Sequence, residues 1–221
     1  MPIPSDDILI FTHGLANTPQ LRQAAKDWVK RNKEIPAKSF EKIVTAFIQD
    51  PSALKKCMGG ILLGYMHSQR RDLAPGLYDK WLEYTTGWAA VDAICYGNFT
   101  AKEILDDFAT WKTLIERLVN SDNPDKRRAA IVLLTKPVKE SDDKRLSKLA
   151  FAVIDTLKDE KIILITKAIS WLLRNLTKQH DKEVRAYLDS KKETLPKIAV
   201  REVLNKLQHG KKSPTKTINH E

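Results

Sequence analysis

Apolar residues recur at every third or fourth position along most of the chain, which is the spacing of amphipathic helices rather than strands. Helix-start signals divide this pattern: Thr18-Pro19 and Asn123-Pro124 each place a proline after a polar cap, and Ser141 precedes two acidic residues. The pattern therefore predicts a chain of short and medium helices. They lie near residues 5–13, 19–32, 38–49, 52–69, 76–85, 87–96, 101–119, 125–136, 142–157, 161–178, 181–190 and 196–208.

Three of the predicted helices share a short motif in which a cation stands just before an apolar run. The copies are Arg128-Ala-Ala-Ile131, Lys167-Ala-Ile169 and Arg201-Glu-Val203, and their apolar residues lie 38 and then 34 residues apart. This interval is close to that of helix-pair repeats of the HEAT or armadillo kind. Such pairs stack, bury a continuous core between neighbours and present one concave face. We therefore predict an all-α fold, a curved α-solenoid of HEAT- or armadillo-like helix pairs.

A chain of 221 residues can bury one sizeable core, and nothing in the pattern demands a second domain. We predict one helical-repeat domain over residues 1–209. Residues 210–221 are polar and rich in helix breakers, so they are predicted to form a disordered tail.

The net charge of +10 comes from 38 Lys and Arg residues against 28 Asp and Glu. One explanation is a solubilising excess of lysine over helix surfaces. The other is a polyanionic partner, because Lys and Arg gain affinity by displacing counterions from phosphates. Only the positions of the cations can separate the two explanations.

The remaining composition predicts a soluble protein without a metal or other cofactor. Cys57 and Cys95 form no disulfide framework, and the five histidines fall at no metal-ligand spacing. The first residues lack a signal-peptide pattern, and the apolar stretches are too short or too broken to span a bilayer. We expect no membrane partner and a cytoplasmic location, nucleoid-associated if the source is bacterial.

Trp171 is predicted to lie on an outward, cationic helix face. At 100° per residue, its stripe is opposite an apolar stripe of the same helix. A tryptophan among cations is typical of a surface that holds nucleic acid bases and backbone, although a neighbouring helix could instead cover the ring. The outward stripe is Lys167, Trp171, Arg174 and Lys178, and the apolar stripe is Ile165, Ile169, Leu172 and Leu176.

Trp88 and Asp92 are four residues apart, so they lie one above the other on a helix whose other residues are small or apolar. A single aspartate in such surroundings is costly to keep ionised unless a cation forms an ion pair with it. It could belong to a site, or it could cap a neighbouring helix.

Lys126, Arg127 and Arg128 lie in the first turn of a predicted helix, where cations oppose the helix dipole. A bound phosphate would explain them, because the helix N-terminus and the cations would attract the same anion. Salt bridges to Asp125 or Asp122 are the alternative.

These elements, in this order, resemble the AlkD-like DNA alkylation repair family, over roughly residues 15–208. Trp88-Ala-Ala-Val-Asp92 matches the family's Trp-x-x-x-Asp motif, and Thr18-Pro-Gln-Leu-Arg22 looks like its Thr-Pro-x-x-Arg motif. Arg128-Ala-Ala-Ile131, Lys167-Ala-Ile-Ser-Trp171-Leu-Leu-Arg174 and Val200-Arg-Glu-Val203 are similar to later family segments. Each motif alone is weak, and their order and intervals make the resemblance specific.

The resemblance implies a monofunctional glycosylase that removes cationic N3- or N7-alkylated purines from duplex DNA without flipping the lesion into a deep pocket. The family's catalytic cleft falls here on Trp88, Asp92, Arg128 and Trp171. A carboxylate such as Asp92 would stabilise the positive charge that grows on the sugar, and Arg128 would hold a phosphate beside the lesion. The expected partner is alkylated double-stranded DNA, bound by a monomer. The predicted DNA-binding cations are Lys126, Arg127, Lys167, Arg174 and Lys178.

Two other functions fit the same residues. Where the family usually carries Trp-Trp-Asp, this chain has Gly87-Trp88-Ala89, and its N-terminus begins late, which favours a DNA-structure binder without excision activity. A helical scaffold for an acidic protein would use Trp88 and Trp171 as a hot spot instead. The retained Asp92 favours the enzyme, and the cations around the indoles favour DNA.

Overall fold

The computed structural model describes residues 14–15 and 17–213, in which all regular structure is helical. The helix predicted near residues 5–13, and residues 214–221 of the predicted tail, lie outside the described residues. None of the helices in the described part of the chain is long and apolar enough to cross a membrane. The helices are α1 (Thr18–Arg31), α2 (Ala37–Gln49), α3 (Ala53–Tyr65), α4 (His67–Arg71), α5 (Gly76–Leu82), α6 (Trp88–Cys95), α7 (Ala101–Asp106), α8 (Phe108–Val119), α9 (Pro124–Thr135), α10 (Pro137–Glu140), α11 (Lys144–Leu157), α12 (Ile163–Leu176), α13 (Asp181–Lys191) and α14 (Lys197–His209), with a 3-10 turn at Lys192–Thr194 between the last two.

The helices form two packed rows, which confirms the predicted all-α solenoid of helix pairs. The front row is α3, α6, α9, α12 and α14, each packed against the next. The back row is α2, α5, α8 and α11, and each of these helices also packs against a front-row helix. One continuous hydrophobic core fills the space between the rows. The helix pairs therefore stack as repeat proteins do, with each pair supported by its neighbours.

Two predicted helices are interrupted in the structure, and one short helix was not predicted. The predicted helix 52–69 breaks at Met66, after which Arg70 turns back and donates a hydrogen bond to the carbonyl of Leu63. The predicted helix 101–119 divides at Asp107, whose backbone leaves the helical conformation. A further short helix, α10, follows α9 directly at Pro137, which has no N–H to continue the hydrogen-bond ladder. Side-chain periodicity continues across such breaks, so the pattern alone misses them.

Gly60 lets the backbones of α3 and α6 come into direct contact. A Cβ at this position would lie 2.3 Å from the carbonyl carbon of Ala93. Asn98 locks the same contact, because its side-chain amide donates to the carbonyls of Gly60, Ala93 and Ile94. The position of α6, which bears Trp88 and Asp92, is therefore set by backbone packing.

Candidate catalytic cleft and nucleic-acid interface

Asp92 and Arg128 form a paired carboxylate and guanidinium at the contact of α6 with α9. Arg128 Nε donates to Asp92 Oδ1 at 3.0 Å, and Nη2 donates to Oδ2 at 2.8 Å. Arg128 Nη1 donates to the carbonyl of Leu164 on α12 at 2.5 Å. The arginine side chain is 7% exposed and that of the aspartate is 19% exposed. The cation required by a carboxylate in these apolar surroundings is therefore Arg128, and Asp92 caps none of the helices described here.

Burial raises the pKa of Asp92 above its ordinary value, and the hydrogen bonds and charge of Arg128 oppose that rise. The two-pronged geometry is the strong form of an arginine–carboxylate pair. A carboxylate has about four lone-pair positions, and Arg128 takes one on each oxygen. Asp92 thus keeps acceptor capacity on the side that faces away from the arginine.

Trp88 is the first residue of α6 and is 54% exposed. It follows Gly87, whose φ of +82° lies in the left-handed region that favours glycine. The Gly87 N–H donates to Asp125 Oδ2 at 2.8 Å, which ties the start of α6 to the start of α9. The absence of an aromatic residue at position 87 therefore has a backbone reason in this chain.

A cleft of about 460 Å³ opens over α3 and α6, and Trp88, Asp92 and Tyr96 line one side of it. Arg128 is not among the lining residues, so a group entering the cleft meets the carboxylate before the guanidinium. Arg22, an exposed residue of the Thr18–Arg22 segment, borders the cleft at α1. The cleft thus combines an aromatic surface, one carboxylate and a bordering cation.

Trp171 is half-buried, with its ring against that of Tyr96, at a centroid distance of 4.5 Å and an interplanar angle of 49°. The residues of the opposite stripe, Ile165, Ile169, Leu172 and Leu176, are fully buried, which confirms the predicted apolar face of this helix. On the outward stripe Lys167 and Lys178 are exposed, whereas Trp171 is partly covered and packs against the core. Tyr96 was not among the residues predicted from the sequence. Its position four residues after Asp92, one helical turn on from the Trp88–Asp92 pair, is the signal that could have found it.

The five predicted DNA-binding cations fall into two groups. Lys167 and Lys178 are exposed, and neither is joined to an acidic residue in the described part of the chain. Arg174 is half-buried and forms an ion pair with Glu202 at 3.4 Å. The cationic surface beside Trp171 is therefore available through the two lysines.

Lys126 and Arg127 are held by acidic residues of the protein. Lys126 is buried, with Nζ 2.7 Å from Asp79 Oδ1 and in contact with Glu83. Arg127 forms an ion pair with Glu160 and also donates to backbone carbonyls before α9. Lys126 and Arg127 therefore form salt bridges, as the alternative explanation predicted, but their partners are not Asp122 and Asp125. Contact of these two side chains with a phosphate stays a prediction, as does that of Arg128.

Two basic depressions continue the cleft toward the C-terminal helices. Tyr96 borders the first, of about 400 Å³, which also contains Lys139 and Lys178. The same two lysines line the second, of about 480 Å³, together with Lys206 and Lys212. The cleft and the first depression share Tyr96, and the two depressions share Lys139 and Lys178, so the three adjoin in series; together they are called the groove.

Comparison with known proteins identifies the family. A family model described as "DNA alkylation repair enzyme" matches residues 13–207. A solved structure described as a predicted DNA alkylation repair enzyme from Enterococcus faecalis is 18% identical, with a TM-score of 0.71 over 93% of this chain and 94% of that one. No curated protein matches the chain. At that identity the solved structure supports the fold, and the family model covers most of the sequence. The chain therefore belongs to the family of DNA alkylation repair enzymes, and its role is in DNA repair.

Proposed function

We propose that the protein is a DNA glycosylase that excises cationic N3- or N7-alkylated purines from duplex DNA. The observation that carries the proposal is the Asp92 carboxylate, held from behind by Arg128 and facing a cleft between Trp88 and Tyr96. An anion fixed beside aromatic surface suits a reaction in which positive charge develops on the substrate.

The reaction needs little help with its leaving group. When the C1′–N9 bond breaks, its electron pair goes to the alkylated purine, which leaves as a neutral base. The sugar becomes an oxocarbenium ion, and water adds to C1′ and loses a proton, which gives an abasic site. The protein must therefore stabilise the cationic sugar, which is the task of a preorganised carboxylate.

Each candidate site residue has a role in this scheme. Asp92 faces the growing charge and can also accept a hydrogen bond from the attacking water. Arg128 fixes the orientation of the carboxylate from the far side. The face of Trp88 attracts the cationic base, at about 0.5–2 kcal/mol. The family resemblance assigns the same role to Trp171, which packs on Tyr96 and does not line this cleft.

The groove supports DNA as the ligand. Lys139 and Lys178 are exposed along it, Lys167 is exposed on the helix stripe of Lys178, and such cations bind phosphates without reading base sequence. Affinity for plain duplex should therefore be independent of sequence and fall linearly in log K against log salt concentration.

Base release from a defined duplex tests the proposal. The purified protein is incubated with a duplex that carries one 7-methylguanine, and the free base is measured by chromatography. We expect release of the methylated base and none of uracil from a matched duplex, because a neutral base leaves too slowly without protonation. Equal release of uracil would contradict the electrostatic mechanism.

A second candidate is a DNA-binding repair protein without excision activity. It is favoured by the pairing of both Asp92 oxygens with Arg128, which partly neutralises the carboxylate. In that case the same assay gives no free base from any methylated duplex, while binding to duplex DNA remains and falls with salt.

A further inference from the structure

Tyr96 stands where the aromatic cleft meets the lysine-rich depressions. Its backbone N–H donates to the carbonyl of Asp92 at 2.8 Å, so it closes the last turn of α6. Its side chain is 48% exposed and lines the depressions on both sides of it. At 1.5 Å per residue, Trp88 and Tyr96 lie about 6 Å before and after Asp92 along the helix. Asp92 therefore has an aromatic residue on each side of it along the chain, and all three residues line the cleft.

The ring of Tyr96 is held in place by the protein. It packs on Trp171 with centroids 4.5 Å apart, in one of the tilted geometries that aromatic pairs favour. A ring already fixed by such a contact loses little rotamer freedom when a ligand binds it. Its hydroxyl has no hydrogen-bond partner among the described residues, in contrast to that of Tyr187, which donates to Asp155.

We propose that Tyr96 contacts the substrate and selects for its positive charge. The inference rests on the proposed function and adds a residue to it: Tyr96 and Trp88 present aromatic surface to the cationic purine from the two sides of Asp92. The negative potential of a tyrosine face attracts a cation within about 6 Å of the ring centre, and a neutral base gains much less. Tyr96 would thereby supply aromatic surface in a chain that has Gly87 before its tryptophan.

Three variants separate the effect of the aromatic face of Tyr96 on the preference for a cationic base from the effect of its volume. Tyr96→Leu keeps apolar volume and removes the aromatic face, whereas Tyr96→Phe keeps the face and removes only the hydroxyl. Tyr84→Leu is the matched control, because Tyr84 is 47% exposed and does not line the cleft. Thermal melting establishes that each variant is folded.

Binding is measured by fluorescence anisotropy on two duplexes that cannot be cleaved. One contains 2′-fluoro-7-methylguanosine, which is cationic and resists loss of its base. The other contains the neutral isostere 2′-fluoro-7-methyl-7-deazaguanosine, which has the same sugar. The ratio of the two Kd values reports charge preference, without any need for excision.

We expect Tyr96→Leu to reduce this preference about 3- to 10-fold, as expected for one cation–π contact. Tyr96→Phe should stay within about twofold of the wild type, and Tyr84→Leu should not change the ratio. If Tyr96→Leu leaves the wild-type preference intact, or if Tyr84→Leu reduces it equally, the role of Tyr96 is overturned and the proposed function is not. Absence of both preference and base release in the wild type overturns the proposed function as well.

Discussion

Replacing Asp92 by Asn removes one negative charge from the cleft and keeps the shape of the side chain. If the developing sugar cation lies about 4 Å from the carboxylate, their attraction is about 4 kcal/mol at an effective dielectric constant near 20. The guanidinium of Arg128 lies on the far side of the carboxylate. At about 8 Å from the sugar, it would oppose the attraction by about 2 kcal/mol, so the pair contributes about 2 kcal/mol net.

These magnitudes predict different losses for the single and double variants. Asp92→Asn loses the whole carboxylate attraction and leaves the arginine charge uncompensated, so single-turnover excision should fall about 10³-fold. Asp92→Asn/Arg128→Gln loses only the net contribution of the pair, so its rate should fall about 30-fold. The double variant should therefore be the faster of the two.

The folding stability of the variants should follow the same order. Asp92→Asn leaves a guanidinium that is 7% exposed without a charged partner, which should cost about 3 kcal/mol. For a chain of this size, the melting temperature should drop roughly 6–12 °C, and the double variant should recover most of it. Calorimetry gives the melting temperatures, and excision is assayed well below all of them.

The pH dependence of excision provides an independent check on the same carboxyl. Only ionised Asp92 stabilises a cation, so the rate should fall as pH falls through its pKa. Because burial raises that pKa, the fall should begin at a higher pH than for an ordinary aspartate, and it should be absent in Asp92→Asn. Excision by Asp92→Asn within about threefold of the wild type, or a double variant slower than the single one, would refute the electrostatic reasoning.

The remaining predictions concern the groove and the helix packing. Replacing Lys167 and Lys178 together by Gln should lower the magnitude of the slope of log K against log salt concentration by about two, because two phosphate contacts are lost. The slope is measured by anisotropy on plain duplex, and Lys148→Gln on α11 should leave it unchanged. Gly60→Ala should destabilise the fold by about 3 kcal/mol, because the new Cβ meets the backbone of α6 at 2.3 Å. Gly76→Ala, which meets nothing within 4 Å, should change the melting temperature little, and equal effects of the two glycine substitutions would contradict the packing argument.

Much of the fold could be predicted from the sequence because most helices bury one regular stripe. The face assignment of α12 is an example: four residues at helical spacing are buried, and the cationic stripe lies opposite. The breaks at Met66 and Asp107 could not be predicted. Contacts between distant parts of the chain lie beside them, such as the ion pair of Arg70 with Glu103, and periodicity does not contain such contacts.

The sequence predicted which residues belong to the candidate site but not how they contact one another. Helical spacing placed Trp88 with Asp92, and the resemblance added Arg128 and Trp171. Spacing could not show that Arg128 pairs with Asp92, or that Lys126 turns inward, because these contacts join residues 36 and 47 positions apart. The stacking of the helix pairs determines which residues meet at that separation. From the sequence alone, any of several acidic residues could have been the partner of Arg128 or Lys126.

The three contacts of Arg128 limit the modularity of this solenoid. Its guanidinium on α9 is joined to Asp92 on α6 and to the carbonyl of Leu164 on α12, so one side chain connects three successive front-row helices. Repeat arrays ordinarily tolerate gain or loss of units because each unit interacts only with its neighbours. Between α6 and α12, insertion or deletion of a helix pair would separate the carboxylate from its arginine. Units could thus be added at either end of the array during evolution, but these three pairs would have to be inherited together.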